Sequence, residues 1–159
     1  MNKLSFRGNG MRQYLLILLM FSLSANAYAE EQYKKFGLGK VVFVKQDLTI
    51  DVEVATTKMQ RTIGLMFREQ LIVNSGMLFD FEKEAIQRVW MRNTLIPLDV
   101  IFISEKGVVV SILKNRLPCT KEPCVIYESI EKARYMLEID AGMAVRNKVD
   151  VGQEVMFFL

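Results

Sequence analysis

The chain has 159 residues, of which 51% are hydrophobic, with 21 basic and 18 acidic side chains and no histidine. This length suits one domain with a core of its own. The absence of histidine excludes Ser-His-Asp and Cys-His catalytic arrangements and the usual imidazole metal centres. No regular acidic loop predicts a calcium site. We expect no resident metal or cofactor, and any hydrolysis would depend on carboxylates, Lys, Tyr or a bound hard cation.

The N-terminal segment has the pattern of a secretory signal peptide. Lys3, Arg7 and Arg12 precede an apolar run at 14–23, and Ala27-Tyr28-Ala29 supplies small residues at a cleavage site. The apolar run is much shorter than the roughly 20 residues that span a bilayer, which disfavours an uncleaved anchor. We expect export to the periplasm or secretion, with no integral membrane domain after cleavage.

Cleavage after Ala29 would change the charge balance. It removes three basic residues and no acidic ones, so 18 of each remain in the mature chain. A net charge near zero gives no electrostatic reason to expect nucleic acid or an anionic membrane as a partner. We expect residues 1–29 to be a signal peptide, 30–39 a flexible lead-in and 40–159 a single β-rich domain, monomeric in solution.

Hydrophobic alternation with a period of two dominates the mature chain and is typical of half-buried strands. It predicts strands at 40–44, 48–54, 76–81, 99–103, 108–113, 125–129, 135–140 and 154–158. Thr57 and Gln60 form a capping box at the start of one helix, and a short helical turn is expected at 142–147. This pattern favours an α+β fold: a compact antiparallel barrel or folded sheet with one main helix packed on it. The spacing excludes a βαβ array of the Rossmann type.

The helix and the segment that follows it carry two arginines, Arg61 and Arg68, seven residues apart. If the helix continues that far, both lie on one face and could clamp an anion, or pair with carboxylates as a structural network. Gly64 lies between them and costs about 1 kcal/mol relative to alanine in a helix. We therefore expect close packing of the helix on the sheet at Gly64.

A cluster of unusual residues extends from Trp90, the only tryptophan, to Asp99. Asn93 and Thr94 favour turns, and Pro97 biases its predecessor towards extended geometry. One interpretation is a shaped connection between strands with Trp90 and Met91 in the core. The other is a site in which Trp90 supports a ligand ring and Asn93, Thr94 and Asp99 orient it by hydrogen bonds.

Two cysteines, Cys119 and Cys124, are close enough in sequence to close a small loop. In an oxidising compartment we expect a disulfide that stabilises the fold by about 2 kcal/mol. A redox pair would have two intervening residues, and a zinc site would need further ligands.

Two acidic residues lie within apolar strand sequence, Asp99 and Glu138. A carboxylate pair can carry out glycosidic acid–base chemistry if the two groups lie about 5–10 Å apart and one pKa is raised. The alternative is that both accept hydrogen bonds from backbone amides or arginine, as buried acids usually do.

These segments, taken in order, resemble the prokaryotic family called domain of unknown function 192. The resemblance covers about 41 to the C-terminus. It implies a small, single-domain, β-rich fold that is often exported, and it implies no activity. The residues that match its motifs are Arg61, Gly64, Met66, Arg68, Gly76, Met77, Trp90, Met91, Asn93, Thr94, Pro97, Asp99 and Glu138.

Three functional hypotheses follow. The first is a soluble binding or accessory module that recognises a small polar ligand, a glycan or a partner segment through Arg61, Arg68, Trp90, Asn93, Thr94 and Asp99. The second is a histidine-free hydrolase that acts on extracellular or cell-wall sugar with Asp99 and Glu138 as catalytic residues. The third is a protein-interaction domain without a ligand pocket.

Overall fold

The computed structural model describes residues 36–159, so the expected signal peptide and residues 30–35 lie outside the described residues. No helix in the described range is long and apolar enough to cross a membrane. The strands are β1 (Gly37–Phe43), β2 (Leu48–Ala55), β3 (Ser75–Ala85), β4 (Arg88–Trp90), β5 (Leu98–Ile103), β6 (Val109–Arg116), β7 (Ile126–Glu128), β8 (Ala133–Asp140) and β9 (Val155–Phe158). The helices are α1 (Lys58–Ile63) and α2 (Met143–Arg146).

Each of the predicted strand segments contains a strand, because the period-two pattern reports one buried face directly. β1 begins at Gly37, three residues before the expected start of the domain. β4 was not predicted, since three residues are too few to display a period. The capping box at Thr57 is present, with the Gln60 amide donating to the Thr57 hydroxyl at 3.2 Å.

Seven strands form one sheet in the order β6-β5-β8-β3-β2-β1-β9, and β4 pairs with β7 in a separate two-stranded ribbon. Every pairing is antiparallel except β2 with β3, which is parallel. The chain between β2 and β3 includes α1 and returns in the same direction, as a parallel crossover requires. The β-rich α+β class is confirmed, with this single crossover inside an otherwise antiparallel sheet.

The sheet curls until its two edges approach each other. Val108 and Glu154 form an isolated bridge, the Val109 amide donates to the Gln153 carbonyl at 2.9 Å, and the Val155 amide donates to the Gly107 carbonyl at 2.7 Å. These bonds join the start of β6 to β9 and produce a curled half-barrel, which agrees with the predicted barrel-like sheet.

Both faces of the curled sheet are apolar. The concave side encloses a core that includes Phe43, Ile50, Leu78, Ile101, Leu137 and Ile139. The opposite side carries a second cluster that includes Leu65, Met77, Phe79, Val100, Phe102 and Met136. Because side chains alternate along each strand, neighbouring residues of β5 and β8 belong to different cores. We call these the inner face and the outer face.

Candidate functional site

A cavity of about 370 Å³ lies on the outer face. Its lining comes from α1 and the turn after it, from β3 and β8, and from the β4–β7 ribbon. The size falls within the range of small-molecule sites in proteins. A second depression, beside Arg68, is larger at about 690 Å³, but the cavity on the outer face is the one that Arg61, Trp90 and Thr94 line.

The cavity has an apolar base. Phe79 of β3 and Met136 of β8 are directly paired on neighbouring strands, so both side chains lie on the same face of the sheet, the outer face. Phe81, two residues along β3, lines the same cavity, and Trp90 does so from β4 with 41% of its surface exposed. Rings and a thioether together offer a flat, polarizable surface for an apolar group.

Gly64 fits α1 against this base. It ends the helix with φ +46°, and a Cβ placed there would lie 3.1 Å from a ring carbon of Phe79. The expected close packing of helix on sheet at Gly64 is present. The same residue also stops the helix, which the sequence pattern did not indicate.

Glu138 lines the same cavity and is the most unusual group in it. The residue is only 6% exposed, and its carboxyl has no hydrogen bond or ion pair with any described residue. Burial raises the pKa of Glu138 to about 8. At neutral pH most of this carboxyl is therefore protonated and can donate a hydrogen bond.

Asp99 occupies the opposite side of the sheet. It is fully buried, and its two oxygens accept hydrogen bonds from the backbone amides of Asn115 at 2.8 Å and Ala144 at 2.9 Å. In the pairing of β5 with β8, Asp99 lies beside Ile139, whereas Glu138 lies beside Val100. The two carboxylates therefore point to different faces, and the expected catalytic pair is not formed.

The two arginines expected to share a helix face are also separated. α1 ends at Ile63, and Phe67 has φ +63°, so no continuous helix reaches Arg68. Arg61 lines the cavity and donates to the Asp80 carbonyl at 2.8 Å, whereas Arg68 pairs with Glu53 beside a different surface depression. The idea of an Arg61–Arg68 anion clamp was wrong.

The segment from Trp90 to Asp99 divides between three environments. Trp90 and Thr94 line the cavity, and Thr94 is only 7% exposed. Met91 lies in the outer-face core, while Asn93 adopts φ +55° in a turn and its carbonyl accepts from the Phe67 amide at 2.8 Å. The run is therefore a shaped connection that also forms one wall of a cavity, and its role as a ligand site stays a prediction.

The disulfide-closed loop lies beside this wall. Cys119 and Cys124 are bonded, with their Cα atoms 5.7 Å apart. The Cys119 amide donates to the Met91 carbonyl at 3.1 Å, and Arg92 forms an ion pair with Glu122 at 3.0 Å. The predicted disulfide thus holds the loop that adjoins Trp90.

The charged lining of the cavity is cationic apart from Glu138, within the described part of the chain. It comprises Lys58, Arg61, Arg88 and Arg92. Lys58, Arg88, Phe79 and Phe81 were not identified from the sequence as site residues. Alternation would have placed Phe79 and Phe81 on one face, but only the strand order brings that face to Trp90 and α1.

One comparison with known proteins identifies a family. The family model DUF192, described as Uncharacterized ACR, matches residues 41–157. The chain belongs to the DUF192 family. No curated protein matches the sequence.

Two solved structures share the fold of this chain. One is a proposed transcription regulator from Sinorhizobium meliloti 1021, with 33% identity, a TM-score of 0.69, and coverage of 77% of this chain and 95% of that one. The other is a protein of unknown function from Novosphingobium aromaticivorans DSM 12444, with 30% identity, a TM-score of 0.67, and coverage of 76% and 84%. These similarities support the fold assignment and leave the biochemical function open.

The residues that carried the DUF192 resemblance separate by role in this structure. Arg61, Gly64, Met66, Trp90, Thr94 and Glu138 line the cavity. Four others do not: Met91 lies in the core, Asn93 forms a turn, Asp99 accepts hydrogen bonds from backbone amides and Arg68 forms an ion pair. The cavity is thus built from several motif segments that are far apart in sequence.

Proposed function

We propose that this DUF192 protein is an exported binding or accessory module that takes a small ligand into the outer-face cavity. The observation that carries the proposal is the Glu138 carboxyl, which is buried, lines the cavity and has no partner among the described residues. Buried polar groups are nearly always hydrogen-bonded, and those that are not call for an explanation. A ligand that bonds to Glu138 supplies one.

The surroundings of Glu138 support a ligand with an apolar body. Trp90, Phe79 and Phe81 provide aromatic surface, and an exposed tryptophan beside a cavity is a common platform for sugar and aromatic rings. Export is supported by the signal-like N-terminus and by the Cys119–Cys124 disulfide, a cross-link typical of oxidising compartments.

A ligand screen followed by NMR tests the proposal. Trp90 is the only tryptophan, so its indole N–H gives one assignable signal from the cavity wall. A library of small glycans and metabolites should yield compounds that shift this signal and raise the melting temperature. Trp90→Ala and Glu138→Leu should each lower the affinity for such compounds at least several-fold.

The control substitution for this screen is Phe158→Ala. Phe158 is also an exposed aromatic residue, at 58%, but it lies beside the other depression. Compounds that bind wild type, Trp90→Ala and Glu138→Leu equally well, or that lose affinity only in Phe158→Ala, would contradict the assignment of the cavity.

Acid–base catalysis by Glu138 alone is the second candidate function, favoured by its raised pKa within a cavity. Asp99 cannot assist because it points to the inner face. Glu138→Gln separates the two functions, since glutamine can still donate a hydrogen bond but cannot transfer a proton. Retained binding with lost turnover would favour the enzyme, and retained binding without any turnover in wild type would favour the binding module.

We do not propose a role in transcription for this protein, although the Sinorhizobium relative is described as a proposed transcription regulator. The longest helix in the described range, α1, has six residues, too short to resemble a recognition helix in the major groove. The mature chain is also balanced in charge. Neither feature favours binding to DNA.

A further inference from the structure

We propose that the cavity ligand is a small organic monoanion with a flat apolar body and a neutral hydroxyl or carbonyl group at its buried end. The inference rests on the proposed binding function and specifies its ligand class. It follows from three separate parts of the cavity: the buried carboxyl, the cations and the aromatic wall.

The buried end is defined by Glu138. Glu138 is only 6% exposed, its side chain lines the cavity, and its carboxyl lacks a partner among the described residues, so a bound molecule can bring a hydrogen-bonding group to it. The raised pKa favours the neutral carboxyl, which pairs with a hydroxyl or carbonyl oxygen. A cationic ligand would need the ionised form and would also meet the four basic side chains of the lining.

The anionic end is defined by the basic side chains. Arg61 is held by the carbonyls of Thr56 and Asp80, which limits its freedom to move towards a ligand. Arg88 and Arg92 have acidic partners, Glu128 at 2.6 Å and Glu122 at 3.0 Å, on exposed surface outside the cavity.

Lys58 differs from the three arginines. It lines the cavity, is exposed, and forms no ion pair with any described residue. A flexible, unpaired ammonium at the edge of a cavity can reach a carboxylate without breaking an existing bond. Lys58 is therefore the group that we assign to the anion.

The body of the ligand is defined by Trp90, Phe81, Phe79 and Met136. One face of Phe81 is covered by Arg61, whose guanidinium carbon lies 5.6 Å from the ring centroid. Trp90 keeps 41% of its surface exposed, although the guanidinium carbon of Arg92 lies 5.9 Å from its ring centroid. An aromatic or alicyclic ring system matches this lining better than a flexible polar chain does.

A matched set of probes tests the ligand class. The compounds are 6-hydroxy-2-naphthoate, its uncharged amide 6-hydroxy-2-naphthamide, and 2-naphthoate, which lacks the hydroxyl. Each is titrated into the mature protein at pH 7 and followed by the Trp90 indole signal and by calorimetry. We expect the hydroxynaphthoate to bind at least fivefold more tightly than either of the other two.

Variants assign each preference to its residue. Lys58→Gln should abolish the preference for the acid over the amide, and Glu138→Leu should abolish the preference for the hydroxyl. Lys132→Gln removes the same charge from an exposed site that does not line the cavity, and it should change neither preference.

The outcomes distinguish the ligand class from the binding function. Equal binding of acid and amide by wild type, or an acid preference that survives Lys58→Gln, overturns the anion assignment. Failure of all three probes while an uncharged or cationic compound from the screen binds at Trp90 overturns the ligand class and leaves the binding function intact. If neither the probes nor the screen perturb Trp90, both proposals fail.

Discussion

Two buried carboxylates on adjacent strands differ completely in their surroundings. Asp99 on β5 has each oxygen bonded to a backbone amide, from Asn115 and Ala144. Glu138 on β8 has no partner in the described structure and lines a cavity. The two are almost equally buried, at 0% and 6% exposed.

The difference shows that burial by itself does not identify a functional acid. Asp99 ties the start of α2 and the end of β6 to the inner face, so its charge serves the fold. Glu138 makes no such connection through its side chain. What separates a structural acid from a candidate site is the set of hydrogen-bond partners, and the following experiments test that distinction.

The largest effect is expected for Asp99→Ala. The substitution leaves two buried amides without acceptors, and each unpaired group costs about 1–3 kcal/mol. We expect a loss of about 3–5 kcal/mol in the free energy of unfolding, measured by denaturant titration. Asp51→Ala is the control, because its ion pair with Lys40 is on the surface and should contribute less than about 1 kcal/mol. Similar losses of unfolding free energy in both variants would contradict the structural role of Asp99.

A pH-dependent effect is expected for Glu138. Its pKa is about 8 when folded and near 4.5 when unfolded, so between these values the folded chain holds a proton that the unfolded chain releases. The stability contributed by Glu138 is therefore complete below pH 4.5 and decreases as the pH rises towards 8.

Glu138→Gln isolates this contribution. Relative to the glutamine variant, wild type should lose about 2–3 kcal/mol of unfolding free energy between pH 5 and pH 7. Parallel denaturant titrations at the two pH values measure the difference, and other acids cancel in the comparison. A difference that does not vary with pH would mean that Glu138 is ionised or has a partner.

Removal of the disulfide tests how far the cavity wall depends on its neighbouring loop. Cys119→Ser together with Cys124→Ser should lower the unfolding free energy by about 2 kcal/mol. The Trp90 indole signal should also shift, because the Cys119 amide bonds to the Met91 carbonyl next to Trp90. An unchanged indole signal in a destabilised variant would show that the wall is set by the sheet alone.

The smallest effect on stability is expected for Trp90→Ala. Trp90 is 41% exposed, whereas its neighbour Met91 is 2% exposed and lies in the core. We expect about 1 kcal/mol or less for Trp90→Ala and about 2–5 kcal/mol for Met91→Ala, from thermal or denaturant unfolding. A cost for Trp90→Ala as large as that for Met91→Ala would identify the tryptophan as core rather than cavity wall.

The strands, the capping box and the disulfide could be predicted because their signals are local. Alternation marks a half-buried strand, Thr57 and Gln60 bond across one helical turn, and Cys119 and Cys124 lie in one short loop. The end of α1 could not be predicted in the same way, because the capping box marks a helix start and carries no signal for the end at Gly64.

The sequence by itself determined that the chain is β-rich and that Trp90, Asn93, Thr94, Asp99 and Glu138 are unusual in their surroundings. The tertiary structure decided which of them belong together. Strand register places Asp99 opposite Ile139 and Glu138 opposite Val100. A shift of one residue in this register would move every side chain of the strand to the other face of the sheet. Long-range pairing sets that register, and alternation within a single strand carries no information about it.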